Sequence, residues 1–358
     1  VRVDQVTPSL ASRDAIGVHT VNLMHALRAA GIESDIYYGT CTPDMADVAR
    51  PVGMLGRHSH GRFLLYQASI GSPVFDALMT RDEPKLVNYH NITPTALLAP
   101  WEPAVAYETS LGRAQLARLA ARAVLAVADS HYNETELRQV GYTRTAVVPL
   151  LIDMTRAGPA PDPSTAARLE RDKAHGGADL LFVGKVSPHK APHDLVKMLS
   201  VYRRAYDPRA RLRLVGSPLG EHYAPVLRAF VRDAGLEGAV EVTGSVEPAV
   251  LEAYYRAADV FVCASEHEGF CVPVVEAMGH GVPVVAYGAT AIPETVGDAG
   301  LVLGSKEPLR FAAAVHRVVS DAELRSRLAA AARARVTRFS LDRSTERFVR
   351  IVREVVGA

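Results

Sequence analysis

Short runs rich in Val, Ile, Leu and Tyr recur along this chain, separated by stretches of helical period, and they do so in two series. The first contains VRVDQVT, SDIYYG, RFLLYQAS, KLVNYHN, AVLAVADS and TAVVPLL, ending near Leu151, with helices over 17–31, from Ser72, and near 111–121. Runs that stay apolar throughout suit strands buried on both faces, and parallel strands need helical crossovers between them. A stretch broken by Pro and Gly follows, read as a connection over 156–175 with a short helix around 164–172. The second series is DLLFVGK, RLRLVGS, AVEVTGSV, DVFVCAS, VPVVAY and AGLVL, with helices near 192–206, 221–235, 248–257, 272–280 and 307–319. The predicted fold class is α/β: two doubly wound, Rossmann-like domains, 1–155 and 176–339, facing a cleft. The amphipathic helix within 340–358 could return to either domain, packing back on the first being one of the two. A length of 358 residues agrees with two cores.

Composition removes several function classes. A net charge of +1 creates no broad field for nucleic acid, so no such partner is expected. No apolar run approaches the roughly 20 residues of a membrane span, and VRVDQVTPSL lacks the features of a secretory signal; a cytoplasmic protein is expected. Cys41, Cys263 and Cys271 form no CxxC pair and read as reduced, mostly buried thiols. No Asp-x-Asp follows an apolar strand and no GxGxxG is present, so no metal is expected and a dehydrogenase is disfavoured.

Open α/β sheets bind ligands beyond the carboxyl ends of their strands. Gly17, Gly71, His90, Gly184, Gly216, Gly244 and Glu268 all follow predicted strands. In ADVFVCASEHEGFCVPVVEAMGH, a strand leads through a turn with Gly269 into a short helix, with Pro273 in its first turn and Gly281 as its stop. Open amides at that helix start suit a phosphate. Glu268 on the turn and Glu276 in the helix would be repelled by the phosphate, so their natural targets are sugar hydroxyls, which carboxylates accept strongly. A nucleoside diphosphate sugar carries such hydroxyls at both ends. In DLLFVGKVSPHKAPHDL, Lys185 and Lys190 precede another helix and could neutralise a departing diphosphate. Read alone, each acid is more often a surface residue, the lysines are as readily solvated, and His90 is more often structural.

Residues 257–303 closely resemble the Glu-x7-Glu signature of retaining family 4 glycosyltransferases of the GT-B fold. LLYQASIGSP, YHNITP, ADS, VPLLID, FVGKVSPHK, VGSP and VTGSV follow in the family's order. The resemblance implies that Glu268 contacts donor-sugar hydroxyls near the reacting carbon and that Glu276 holds the nucleoside ribose. Gly269, Phe270 and Cys271, with Val272, would face sugar and phosphate, and Lys185 and Lys190 the diphosphate. Gly184, Gly216, Ser217, Ser245 and Val246 would line the donor, Gly17 would approach the diphosphate, and His90 would lie beside the donor sugar in a catalytic role. Cys271 stands where the family more often has glycine, and Ala15 and Ile16 replace a common double glycine ahead of Gly17. Asp14, His19 and the loops 40–61 and 91–110 are candidates for the acceptor side.

The implied activity is metal-independent, retaining transfer of a hexose from a UDP- or GDP-sugar by same-face substitution. The nucleotide sugar is a co-substrate, and no cofactor is expected. The hydroxyl acceptor would be a sugar, a natural-product aglycone or a lipid-linked group, the last alone calling for a membrane surface. A nonhydrolysing sugar-nucleotide epimerase and a two-domain sugar-binding protein are the alternatives.

Overall fold

A computed structural model describes residues 1–154 and 158–357. The chain divides into two compact units: residues 1–96, 104–153 and 339–358 form the first, and 97–103 with 154–338 the second.

The first unit contains strands β1 Arg2–Leu10, β2 Ile36–Cys41, β3 Arg50–Pro51, β4 Arg62–Ala68, β5 Lys85–Tyr89, β6 Ala123–Ala128 and β7 Thr145–Val147. They form one parallel sheet in the order β3-β2-β1-β4-β5-β6-β7. Its helices are α1 Ala15–Ala29, α2 Val74–Met79, α3 Pro103–Ala120 and α4 His131–Gln139. All five residues of β5 are buried, as a central parallel strand requires. One face of the sheet packs on Phe75, Leu78, Leu116 and Leu119, the other on Leu23 and Leu27.

In the second unit lie α5 Pro163–Ala174, β8 Asp179–Val183, α6 Pro192–Ala205, β9 Arg211–Val215, α7 Tyr223–Asp233, β10 Val240–Gly244 and α8 Pro248–Ala257. They are followed by β11 Val260–Cys263, α9 Val272–Gly279, β12 Val284–Tyr287, α10 Ile292–Val296, β13 Gly300–Leu303, α11 Pro308–Ser320 and α12 Ala322–Val336. The sheet order is β10-β9-β8-β11-β12-β13, again parallel. Leu195, Met198, Leu199 and Tyr202 recur at helical spacing on α6 and pack with Phe311 and Val315 of α11 over Leu180, Leu214 and Val262 of the sheet.

One segment departs from the sequence expectation. The proposed connection 156–175 is not free chain: from residue 158 it belongs to the second unit. There α5 buries Leu169, is capped by Asp162 on the Thr165 N–H at 2.8 Å, and ties Arg168 to the Tyr254 hydroxyl at 2.7 Å. The expected boundary at residues 155 and 156 lies outside the described residues. The final helix, α13 Leu341–Val356, belongs to the first unit, where Phe348 and Val352 are buried with Leu23 and Leu27 and Arg353 donates to the Ala30 carbonyl at 2.7 Å. No described helix is long and apolar enough to cross a membrane.

Strand order fixes where a ligand has room. In the second sheet β8 has β9 on one side and β11 on the other, so the chain winds outward in opposite directions from the β8/β11 junction. The segments leaving β8 and β11 therefore diverge and open a crevice at their carboxyl ends.

Candidate functional site

Both segments at the β8/β11 junction carry the charged residues singled out in the sequence, and the structure joins them. Lys190, at the end of the turn after β8, donates through Nζ to Glu268 Oε2 at 2.5 Å. Glu268, on the turn after β11, is 6% exposed. Burial alone would lower the pKa of the Lys190 ammonium, but the Glu268 carboxylate outweighs it and the net shift is upward. The Lys190 ammonium is thus held in its charged form.

Several singled-out residues, in both units, sit beside backbone held in unusual conformations. Among the described residues, four non-glycine residues have positive φ: Asn91, Ala191, Cys271 and Thr290. Each adjoins or holds a singled-out residue: Asn91 follows His90, Ala191 follows Lys190, and Cys271 ends the Glu268 turn. The Thr290 hydroxyl accepts from the Glu268 N–H at 2.8 Å and donates to the Glu268 carbonyl at 2.9 Å. Left-handed backbone at non-glycine residues costs of order 1–3 kcal/mol each and persists where surrounding structure enforces it, which is characteristic of binding turns.

Two helices point their starts at this turn region without a capping side chain. Ala191 and Cys271, the N-cap residues of α6 and α9, make no side-chain cap hydrogen bond. Orphan N–H groups at a helix start favour an anion.

Glu276 lies one turn into α9. Its Oε2 accepts from the Tyr255 hydroxyl at 2.7 Å, and burial raises its pKa above the ordinary carboxylate value although Tyr255 opposes that. Tyr255 stacks on His280 at 4.7 Å, and His280 bonds Glu252 at 2.8 Å. Sequence reasoning missed Tyr255, Thr290 and His280. It also missed His189, whose buried Nδ1 has no hydrogen-bond partner among the described residues and whose pKa burial depresses strongly, with Lys190 adding to it.

The glycines form a packed edge. Gly184, Gly216 and Gly244 end β8, β9 and β10, all with positive φ. The Gly216 N–H donates to the Gly244 carbonyl at 3.0 Å, and a Cβ on Gly216 would lie 2.0 Å from the Gly184 carbonyl oxygen. Ser217 and Val246 are half-buried, Ser245 exposed, and Lys185 is exposed with no salt bridge or side-chain hydrogen bond among the described residues. Phe270 is buried, its carbonyl accepting from Thr295 at 2.6 Å, and Val272 opens α9 half-buried.

In the first unit the outcome differs. Gly17 is not in a loop ahead of the helix but inside the first turn of α1, where a Cβ would lie 1.9 Å from the Ala11 carbonyl oxygen. Gly71 likewise packs against Gly112 of α3, so both glycines answer to close backbone approach. His90 has both ring nitrogens engaged: Nδ1 with Asp129 Oδ2 at 3.0 Å and Nε2 with Gln67 Oε1 at 2.7 Å. His19, an acceptor-side candidate, is wholly buried, bonding Asn88 through Nε2 and accepting from the Leu151 N–H through Nδ1. Part of the 91–110 loop, residues 97–103, belongs to the second unit.

Residues 165–335 match the family described as Glycosyl transferases group 1. Two relatives named D-inositol 3-phosphate glycosyltransferase, from Geodermatophilus obscurus and Frankia alni, are 33% identical over 247 residues and 30% identical over 255. The alignments cover 67% and 69% of this chain but 54% and 62% of those proteins, so the chain spans little more than half the length of the curated relatives it matches. Anabaena HepE, solved with UDP and glucose, superposes with a TM-score of 0.77 at 19% identity, covering 99% of both chains. Sucrose-phosphate synthase from Thermosynechococcus elongatus gives 0.76 at 18% identity, with 99% of both chains covered. At such identities the two solved structures speak for the fold. By its two parallel-sheet units and the match over its second, the chain belongs to the group 1 glycosyltransferases and has the GT-B fold.

Proposed function

We propose that this protein transfers a hexose, with retention of anomeric configuration, from a nucleoside diphosphate sugar to a hydroxyl acceptor. The observation that carries this reading is the Lys190–Glu268 pair at the β8/β11 junction, with Glu268 buried, Glu276 one turn into α9, and two uncapped helix starts on the same segments. An ammonium and open amides suit a diphosphate; carboxylates beside them suit the hydroxyls at its two ends. UDP is the favoured nucleotide, because HepE is solved with UDP and glucose.

In the proposed reaction the bond from the anomeric carbon to the diphosphate oxygen breaks, and a bond to the acceptor oxygen forms on the same face. The acceptor proton passes to the released diphosphate. Negative charge grows on that diphosphate, and Lys190, Lys185 and the starts of α6 and α9 stabilise it. Glu268, oriented by Lys190 and Thr290, holds hexose hydroxyls; Glu276, oriented by Tyr255, holds the ribose. The amides of Gly269, Phe270 and Cys271, with Val272, line the donor, and Gly184, Gly216, Ser217, Ser245 and Val246 form its opposite wall. For His90 the proposed part is to maintain the Gln67–His90–Asp129 cluster on the transfer-competent form of the first unit, and His90→Ala is expected to lower kcat.

A thermal-shift screen tests the donor: UDP at about 100 times its dissociation constant adds about 2.7 kcal/mol to native stability, and no shift with any nucleoside diphosphate refutes the reading. With UDP-hexose, the relatives' name makes an inositol phosphate the first acceptor to try, and a mass gain of one hexose on the acceptor identifies transfer.

Kinetics separate the two acids. Glu276→Ala is expected to raise KM for the donor with little change in kcat, and Glu268→Ala to lower kcat; unchanged kinetics in both contradict the assignment. A hydroxyl-binding carboxylate must be ionised, and burial lifts the pKa of Glu276, so donor affinity falls on acidification from above the ordinary glutamate range. Tyr255→Phe removes a hydrogen bond that favours the ionised form. It therefore moves that fall to higher pH and weakens UDP roughly tenfold, as measured by calorimetry across pH.

A further inference from the structure

Beneath the Glu268 turn lie two thiols that the transfer chemistry leaves unused. The thiols of Cys263 and Cys271 and the carboxylate of Glu268 are all buried, and their ligand atoms lie within 4.8 Å of one another. Cys263 ends β11, Cys271 immediately precedes α9, and Glu268 sits on the turn between them, so one strand–turn–helix segment carries all three.

We propose that Cys263, Cys271 and Glu268 form a binding site for a thiophilic divalent cation such as Zn²⁺, and that the bound ion silences transfer by taking Glu268 away from the hexose hydroxyls. Two thiolates and a carboxylate are a donor set that zinc accepts, with bonds of about 2.3 Å to sulfur and about 2.0–2.2 Å to oxygen. A tetrahedral centre with such bonds sets its donors roughly 3.3–3.8 Å apart, so the cluster closes around an ion with side-chain movements of order 1 Å. Zinc binds thiolates, so both thiol protons leave on binding. The three ligands then carry three negative charges, the ion two positive, and the Lys190 ammonium beside Glu268 balances the remainder. Cys263 already bonds the Ser265 hydroxyl at 3.3 Å, and that hydroxyl can donate to the thiolate once the thiol proton is gone. Cys271 holds its thiol in place at φ 70°, a conformation only glycine adopts without cost. The fourth coordination position stays open to water.

The silencing step rests on the donor reading above; the cation site does not. Its test is titration of the full, reduced chain with Co²⁺, followed by thiolate-to-cobalt charge-transfer absorption. One equivalent is expected to produce the band, Zn²⁺ to abolish it, and pH-stat titration to register two protons released per ion. The band should be lost in Cys263→Ala and in Cys271→Gly, whose backbone suits the left-handed turn, and retained in Cys41→Ser. Absence of the band in the unaltered chain, or its persistence in Cys263→Ala, overturns the site. Thermal shifts with UDP-glucose and with UDP form the second arm: stoichiometric Zn²⁺ should remove the extra shift of UDP-glucose over UDP in the unaltered chain and leave it in Cys263→Ala. A cobalt band with a zinc-insensitive difference between UDP-glucose and UDP overturns the silencing and upholds the site. A cobalt band in a chain that ignores UDP even without metal upholds the site and refutes the donor reading.

Discussion

Lys190→Met is expected to destabilise the second unit by roughly 3–5 kcal/mol, because it leaves the Glu268 carboxylate buried without its counter-charge. The same change removes the cation proposed to stabilise the leaving diphosphate, and kcat is expected to fall roughly 100-fold or more. The two losses part company in a double variant. With Glu268→Gln added, no buried charge remains unpaired, so most of the stability returns while turnover stays low. Denaturant unfolding and steady-state kinetics on both variants and on Glu268→Gln alone complete the cycle. Additive stability changes would show that the pair contributes no coupling, and the proposed orientation of Glu268 by Lys190 would go with it.

The site was legible where its chemistry is local. The β11–turn–α9 segment places Glu268, Cys271 and Glu276 in one short stretch, and the apolar run, the turn glycine and Pro273 fix strand, turn and helix in order. The strands of both sheets were legible because parallel strands covered on two faces must be apolar almost throughout. Groups that reach the site from a distance were not. Tyr255 lies 21 residues before Glu276 and Thr290 22 after Glu268, and neither sits in a pattern that a period could reveal. Helix α4, HYNETELRQ, was missed because Asn133 and Leu137 are its only buried residues, too few to mark a face. Gly17 and Gly71 were read as ligand-facing turns because a sequence shows that a glycine is present but not which atom would strike its Cβ. His90 shows the same limit: Gln67 and Asp129, distant in sequence, occupy both of its ring nitrogens.

Glu102 gives the second large effect, and nothing near it in sequence announces the role. It is 3% exposed and lies in the short segment 97–103 that belongs to the second unit. Its carboxylate accepts from the backbone N–H groups of Glu221, His222 and Tyr223 at 3.1, 2.9 and 2.8 Å, capping α7 from a remote part of the chain. Trp101, the chain's one tryptophan, sets its ring edge-on to Tyr223 at 5.5 Å. Glu102→Ala removes the cap and is expected to cost roughly 2 kcal/mol, with a red shift of Trp101 fluorescence as the segment loosens. Gly220→Ala should do much the same by another route, since a Cβ there would lie 2.1 Å from Glu102 Oε2 at a φ of +76°. The pH dependence has a definite sign. Burial pushes the Glu102 pKa up, but the Tyr223 N–H, the His222 ring and the His222 and Glu221 N–H groups outweigh it and hold it below the ordinary value. Its contribution is therefore complete above the usual glutamate range and is lost as pH falls through the depressed folded value. Trp101 emission in the unaltered chain should shift on acidification through that window, while in Glu102→Gln, which cannot ionise, it should stay flat; an equal shift in both would detach Trp101 from the Glu102 cap.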